Sequence, residues 1–256
     1  MSKRVGLFVT CLVDLVRPQV GFATVKLLEE AGCTVDVPAT QTCCGQPAWN
    51  AGADAHTADI ARQVIDAFEP FDYVVAPSGS CAGMIKNHYA EALATDPDYA
   101  KRARALAAKT YELTSFLVRI CGVTSVTAKC PAKAGYHDSC SSLRELGVKS
   151  EPRLLLQSVE GFALSELSDG QVCCGFGGLF SVKYPEISER MADDKLTDAE
   201  KSGAELLVGG DLGCLLHLAG RAEREGKSLR VRHVAEVLAD MSDTPALGEP
   251  PRQIEP

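Results

Sequence analysis

The chain alternates short apolar runs with longer stretches in which apolar residues return every three or four positions. Runs of the first kind predict buried strands, and stretches of the second kind predict amphipathic helices. In the first half, this pattern predicts strands at 3–10, 34–37 and 73–76. It predicts helices at 18–32, 54–68 and 81–93.

A similar order of elements returns in the second half. The pattern there predicts strands at 133–139, 162–167 and 205–208. It predicts helices at 152–158, at 185–202, after residue 214 and at 233–240. Two more helices are predicted within 98–120, between the halves. Alternation of strands with helices favours an α/β fold with mostly parallel sheets.

A cysteine pattern repeats along with these elements. Cys-Cys-Gly occurs at residues 43–45 and again at 173–175, and each copy has one cysteine upstream and one downstream. The first quartet is Cys11, Cys43, Cys44 and Cys81, and the second quartet is Cys140, Cys173, Cys174 and Cys214. Subtracting matching positions gives offsets of 129, 130, 130 and 133, close to half of the 256 residues. The sequence therefore predicts an internal duplication with two sulfur-ligated centres.

The duplication sets the expected domain organisation. We expect two pseudo-symmetric half-domains, residues 1–120 and 121–240, each a small, mostly parallel sheet with flanking helices. Every quartet cysteine follows a predicted strand, and ligands of parallel sheets collect at the carboxyl ends of strands. Each half should therefore gather its own quartet at that edge. The proline-containing residues 241–256 are predicted to form a disordered tail.

Composition and charge exclude some classes of function. A net charge of -8 argues against nucleic acid as a partner. The chain has no apolar stretch of 18 or more residues, so the sequence predicts no membrane span. Asp14 and Arg17 interrupt the apolar run near the N-terminus, and no small-residue cleavage site follows it, so we expect a cytoplasmic protein. In the reducing cytoplasm, paired cysteines are metal ligands or redox groups more often than they are disulfides.

Three sulfur chemistries compete for the quartets. Zinc sites usually draw ligands from C-x2-4-C pairs, and neither half contains such a pair. Adjacent thiolates suit a polynuclear centre, and iron–sulfur clusters are commonly held by four cysteines, the number in each quartet. The sequence therefore favours two iron–sulfur clusters of the 4Fe-4S type. A zinc-stabilised scaffold and a thiol/disulfide reductase are the alternatives.

Six stretches spread along the chain carry a family resemblance: LFVTCLVD, QTCCGQPAWNAG, PSGSCAGM, YHDSC, CCGFGGLFSVK and GCLLH. They resemble the CCG cysteine-rich domain of the heterodisulfide reductase B subunit and of the glycolate oxidase iron–sulfur subunit. They are more similar to the lactate utilisation protein A family of stand-alone iron–sulfur oxidoreductases. The resemblance implies an electron-transfer subunit that helps to oxidise L-lactate to pyruvate. It also implies two partners, a ferredoxin-type iron–sulfur subunit and a third lactate-utilisation subunit.

The chain departs from the heterodisulfide reductase pattern at one position in each half. That pattern ends in Cys-x-x-Cys, but here the last position is Met84 in the first half and His217 in the second. His217 is therefore a candidate further ligand, with a packing or surface role as the alternative. His137 could tune or protonate a bound group, and Asp138 is expected to cap a loop. Three cysteines without repeat partners are expected to be small buried apolar residues: Cys33, Cys121 and Cys130.

Overall fold

The computed structural model describes residues 2–249 and divides into two compact units. Within the described residues, the first unit comprises residues 2–123 and 140–151, and the second comprises residues 124–139 and 152–249. The segment 140–151 thus belongs to the first unit, although the sequence boundary at 120/121 assigns it to the second half. Each unit is built around one parallel sheet.

Within the described residues, the sheet of the first unit has four parallel strands in the order β2-β1-β3-β4. The strands are β1 (Lys3–Leu7), β2 (Cys33–Asp36), β3 (Tyr73–Ala76) and β4 (Thr110–Glu112). Val5, Leu7, Val74 and Val75 are fully buried, as the apolar runs predict. The sequence pattern missed β4 because a strand of three residues between two helices is too short to show a period.

Helices of the first unit flank this sheet. They are α1 (Cys11–Val16), α2 (Pro18–Glu30), α3 (Gln46–Asn50), α4 (Asp54–Phe68), α5 (Gly79–Gly83), α6 (Tyr89–Ala92), α7 (Pro97–Ala108) and α8 (Leu113–Arg119). The helix predicted at 81–93 is present, but a π-helical turn, Met84–His88, separates α5 from α6. Such turns add a residue to the helix and are frequent near functional sites. A second π-helical turn, Ser141–Glu145, also lies in this unit.

The sheet of the second unit repeats the first. Its strands are β5 (Lys129–His137), β6 (Glu160–Leu164), β7 (Leu206–Gly209) and β8 (Arg230–His233). Among the described residues they form four parallel strands in the order β6-β5-β7-β8, which matches β2-β1-β3-β4 strand for strand. This equivalence confirms the predicted α/β fold and its duplication. β8 occupies the first residue of the helix predicted at 233–240, which in the structure begins one residue later.

The remaining helices are α9 (Ser150–Leu156), α10 (Leu179–Lys183), α11 (Pro185–Lys201), α12 (Leu212–Arg224) and α13 (Val234–Leu238). Helix α11 has 17 residues and its counterpart α4 has 15. The offset between Cys81 and Cys214 is 133, and that between Cys44 and Cys174 is 130. The longer helix accounts for most of this increase.

Part of the predicted tail is ordered in the second unit. Leu247 forms a bridge with Val231, and both Ala246 and Leu247 are buried. These contacts differ from the disorder predicted for 241–256; residues 250–256 lie outside the described residues. No helix in the described part of the chain combines the length and the apolar character needed to cross a bilayer.

Candidate metal centres

The first quartet assembles at the carboxyl edge of its sheet. Cys11 begins α1 after β1, Cys43 and Cys44 lie in the loop between β2 and α3, and Cys81 lies in α5 after β3. Hydrogen bonds join the thiols in series, Cys11 to Cys43, Cys43 to Cys44, and Cys44 to Cys81. The four sulfur atoms that the repeat singles out therefore converge on one place.

Electrostatics of the first quartet favour a cation. The thiols of Cys11 and Cys44 and the backbone N–H of Gly45 donate to Cys43 and lower its pKa to about 2. Donation to Cys43, together with burial, raises the pKa of Cys11 far above its usual range. The pKa of Cys44 is raised by its contacts with Cys43 and Cys81 and by burial. The protein thus stabilises the Cys43 thiolate, and a bound positive charge would favour deprotonation of Cys11 and Cys44 as well.

Local backbone structure holds these cysteines in place. Gly45 adopts a φ of +83°, which turns the chain into α3 directly after the cysteine pair. The buried Tyr89 hydroxyl donates to the carbonyl of Cys44 at 2.9 Å. Thr10 has a φ of +74°, unusual for a residue with a side chain, and its Oγ1 accepts from the N–H of Val13 to cap α1. A cavity of about 350 Å³ opens beside Cys11 and Cys43.

The second unit assembles three cysteines in the same way. Cys173 and Cys174 precede Gly175, and Cys214 lies in the first turn of α12 after β7. The Cys174 thiol contacts those of Cys173 and Cys214, and these contacts with burial raise its pKa. The N–H of Gly175 donates to Cys173 Sγ at 3.3 Å, just as that of Gly45 donates to Cys43 Sγ at 3.4 Å. The turn around the sulfur pair is therefore repeated in detail.

A histidine joins the sulfurs of the second unit. His137 ends β5, and one of its ring nitrogens lies within 4.8 Å of the sulfur atoms of Cys174 and Cys214. The side chain is 1% exposed, and neither ring nitrogen has a hydrogen-bond partner within residues 2–249. Burial, with the nearby charge of Lys195, lowers the pKa of His137 to about 3. The sequence indicated a tuning or proton-transfer role for His137 and missed its position among the sulfurs.

Two further candidate ligands of the second centre are Cys140 and His217. Cys140 is half-buried and caps the π-helical turn Ser141–Glu145 in the first unit. His217 is half-buried in α12, where its Nε2 lies 3.3 Å from Ser188 Oγ. Ligand roles for both residues stay predictions. Met84 is fully buried in the core of the first unit, beside Cys44 and Cys81.

Comparison with known proteins agrees with this geometry. The CCG cysteine-rich domain matches twice, at residues 5–86 and 134–219. A protein of Shouchella clausii (strain KSM-K16), Lactate utilization protein A, is 50% identical over 234 residues, 91% of this chain and 98% of its own. Its namesake from Geobacillus kaustophilus (strain HTA426) is 51% identical over 235 residues, 92% of this chain and 98% of its own. The chain belongs to the lactate utilisation protein A family.

The two domain matches of this family member each contain one complete quartet, which confirms the predicted duplication. Among solved structures, a hypothetical protein from Helicobacter pylori shares the fold with a TM-score of 0.61 and 12% identity. The match covers 98% of this chain and 50% of that one, so the chain spans about half of the solved protein.

Cysteines outside the quartets behave largely as small core residues. Cys33 and Cys130 are buried, as expected. Cys121 is half-buried, and its Sγ lies 3.8 Å from that of Cys33. Burial and the neighbouring Cys121 raise the pKa of Cys33 to about 11. The Cys33 thiol therefore stays protonated at neutral pH.

Asp138, the residue after His137, forms an ion pair instead of the expected loop cap. Both carboxylate oxygens accept from Arg153 at 2.9 Å, and the side chains are 2% and 14% exposed. Arg153 also donates to Glu166. The pair anchors the chain segment that carries His137.

Removal of the Asp138–Arg153 ion pair should destabilise the folded protein. We expect Arg153→Ala to lower the free energy of unfolding by about 3–5 kcal/mol, because it leaves the buried Asp138 charge without a partner. Arg190→Ala is the matched control, since Arg190 and Asp194 are 78% and 61% exposed and such pairs contribute about 0–1 kcal/mol. Chemical denaturation of both variants measures the difference. Equal losses would contradict the structural role of the Asp138–Arg153 pair.

The glycines of the two motifs should differ in their tolerance of alanine. At Gly175 (φ +90°) a Cβ would lie 2.5 Å from the carbonyl oxygen of Ser188. At Gly45 (φ +83°) the nearest atom would be a side-chain carbon of Ile60 at 3.3 Å. We expect Gly45→Ala to cost about 1–2 kcal/mol from backbone strain and Gly175→Ala about 2–5 kcal/mol, since backbone must also move.

Thermal unfolding of the two glycine variants tests this order. Gly32→Ala is the control for strain alone, because its φ is +80° and its Cβ would meet nothing within 4 Å. A Gly175→Ala protein as stable as Gly32→Ala would show that the second motif is packed more loosely than the structure has it.

Proposed function

We propose that the chain is the iron–sulfur electron-transfer subunit of a cytoplasmic complex that oxidises L-lactate to pyruvate. The observation that carries this proposal is the first quartet, in which four thiols from three chain segments contact one another in series. The names of the similar proteins supply the link to lactate utilisation.

The residues of the first quartet fit an iron–sulfur cluster. Such clusters take four cysteine thiolates, and Cys11, Cys43, Cys44 and Cys81 provide four neighbouring sulfurs at one sheet edge. Four thiolates so close together are electrostatically unfavourable without a cation, and the raised pKa values of Cys11 and Cys44 express this cost. A bound cluster would supply one-electron transfer at the first quartet.

The chain's own residues prepare the site for that role. Gly45 places the adjacent sulfurs of Cys43 and Cys44 side by side, and its N–H donates to Cys43 Sγ. Ser78 Oγ accepts from the N–H of Cys81 at 3.3 Å and fixes the start of α5. The cavity beside Cys11 and Cys43 leaves one side of the site open to a redox partner.

Zinc is the second candidate, and one observation favours it. His137, Cys174 and Cys214 form a compact set of nitrogen and sulfur donors, which is the ligand type that zinc prefers. In that case the chain would be a zinc-stabilised scaffold that organises an oxidoreductase without passing electrons. Metal and sulfide analysis of the purified protein separates the two candidates.

Dependence on partners follows from what the sequence lacks. The chain contains no C-x2-C-x2-C-x3-C run and no flavin or nicotinamide fingerprint. We therefore propose that a ferredoxin-type iron–sulfur subunit and a third lactate-utilisation subunit complete the complex. We expect the isolated chain to show no lactate turnover.

A lactate-dependent bleaching assay tests the proposed function. L-Lactate added anaerobically to the purified complex should bleach the visible absorption of this chain, because electrons from lactate reduce its clusters. A complex reconstituted with the Cys43→Ser, Cys44→Ser variant should bleach less, since one cluster is missing. Full lactate turnover by the pure single chain would contradict the proposal. A complex whose visible absorption does not change when L-lactate is added would contradict it as well.

A further inference from the structure

We propose that His137 is a metal ligand of the second centre, together with Cys174 and Cys214, so that this centre has mixed nitrogen and sulfur ligation. The proposal rests on the proposed function in one respect, namely that each unit holds a metal centre. It assigns a ligand that the cysteine repeat does not contain.

The first argument is the burial of an unpartnered imidazole. His137 is 1% exposed, and neither Nδ1 nor Nε2 has a hydrogen-bond partner among the residues that the structure describes. A buried polar group without a partner destabilises the folded state, so such groups are rare in native proteins and call for an explanation. One of these nitrogens lies within 4.8 Å of the sulfur atoms of Cys174 and Cys214. A metal bound between them would satisfy the ring nitrogen.

The second argument is a comparison with another buried histidine of the same unit. His233 is 0% exposed and ends β8, so its setting resembles that of His137 at the end of β5. Its Nδ1 accepts from the N–H of Ala235 at 3.2 Å and caps α13. The fold thus gives a packing histidine a partner. His137, beside the cysteines, has no such partner in the described part of the chain.

The third argument comes from the repeat. The offset of 129 between Cys11 and Cys140 places Phe8 opposite His137. Phe8 is fully buried and packs in the same cluster as Cys44 and Cys81, the counterparts of Cys174 and Cys214. In the first unit, an apolar ring therefore fills this position through core packing alone. The second unit replaces that ring with a metal-binding one.

The substitution makes the two centres chemically different. The first has four sulfurs and a hydrocarbon ring, and the second has an imidazole in direct reach of two of its sulfurs. An iron that binds a neutral imidazole at a position where the first centre binds an anionic thiolate carries less negative charge, which raises its reduction potential. We expect the second centre to accept electrons at a higher potential than the first.

Nitrogen hyperfine spectroscopy tests the assignment. Protein purified anaerobically and labelled with ¹⁵N-histidine is brought to its paramagnetic state, and pulsed EPR detects nitrogen bound to the metal. We expect a directly coordinated nitrogen in the wild type and its complete loss in His137→Phe, which copies the first half. His137→Cys should also lose the nitrogen signal while it keeps the metal. This variant therefore tests the assignment even if His137→Phe binds no metal.

Two further variants give the result its specificity. His56→Phe changes an exposed residue of the first unit and should leave the spectrum unchanged. A nitrogen signal that survives in His137→Cys, or one that disappears in His217→Phe instead, would overturn the proposal.

A protein without iron and sulfide would refute the proposed function but not yet this inference. X-ray absorption of the zinc-loaded protein then decides, because an imidazole ligand adds scattering that His137→Phe should remove. Zinc coordinated without imidazole would overturn the assignment of His137, as would a second unit that binds neither metal.

Discussion

Replacing Cys43 and Cys44 by serine is expected to remove about half of the iron and to leave the second centre intact, because each half supplies its own ligand set. Cys43 and Cys44 are the two middle members of the series that runs from Cys11 to Cys81. Their loss leaves two sulfurs, which is too few for an iron–sulfur cluster with cysteine ligation. Iron and acid-labile sulfide per chain measure the effect.

The chain offers a matched control for this variant. Cys33→Ser, Cys121→Ser also removes two neighbouring cysteines of the first unit, with sulfur atoms 3.8 Å apart. Neither residue belongs to a quartet, so this control should keep all of its iron. Complete loss of iron from a folded Cys43→Ser, Cys44→Ser protein would show that the chain builds one shared centre and not two.

The reciprocal variant, Cys173→Ser with Cys174→Ser, is expected to spare the first centre and abolish the second. Cys174 contacts both Cys173 and Cys214, so its removal breaks the sulfur series of the second unit. The buried His137 would then face serine hydroxyls, which are poor metal ligands at neutral pH. The iron that remains should show the spectrum of the first centre alone.

Comparison of the two double variants identifies the signals of each centre. The spectrum of Cys43→Ser, Cys44→Ser should contain the nitrogen-coupled centre, and that of the reciprocal variant should lack it. If both variants retained the same residual spectrum, the assignment of one quartet to each centre would be wrong.

The sequence predicted the parts of this molecule that depend on local pattern. The apolar period located α4 and α11 nearly to the residue, and the cysteine offsets predicted the repeated sheet. The first quartet converges as expected because Cys11, Cys43 and Cys81 all follow parallel strands of one sheet.

The parts that the sequence did not predict depend on tertiary structure. His137 reaches Cys174 and Cys214 because β5 and β7 are paired with His137 opposite Gly209, a register that no local pattern reveals. The edge strands β4 and β8 have only three and four residues, so neither shows a period of its own. Assignment of the segment after Cys140 to the first unit likewise follows from packing and not from chain order.

Quantification of metal and sulfide in anaerobically purified wild-type protein tests the central claim most directly. Two iron–sulfur clusters predict a brown protein with broad visible absorption, several irons per chain and a matching amount of acid-labile sulfide. A colourless protein that carries zinc and no sulfide would contradict the account.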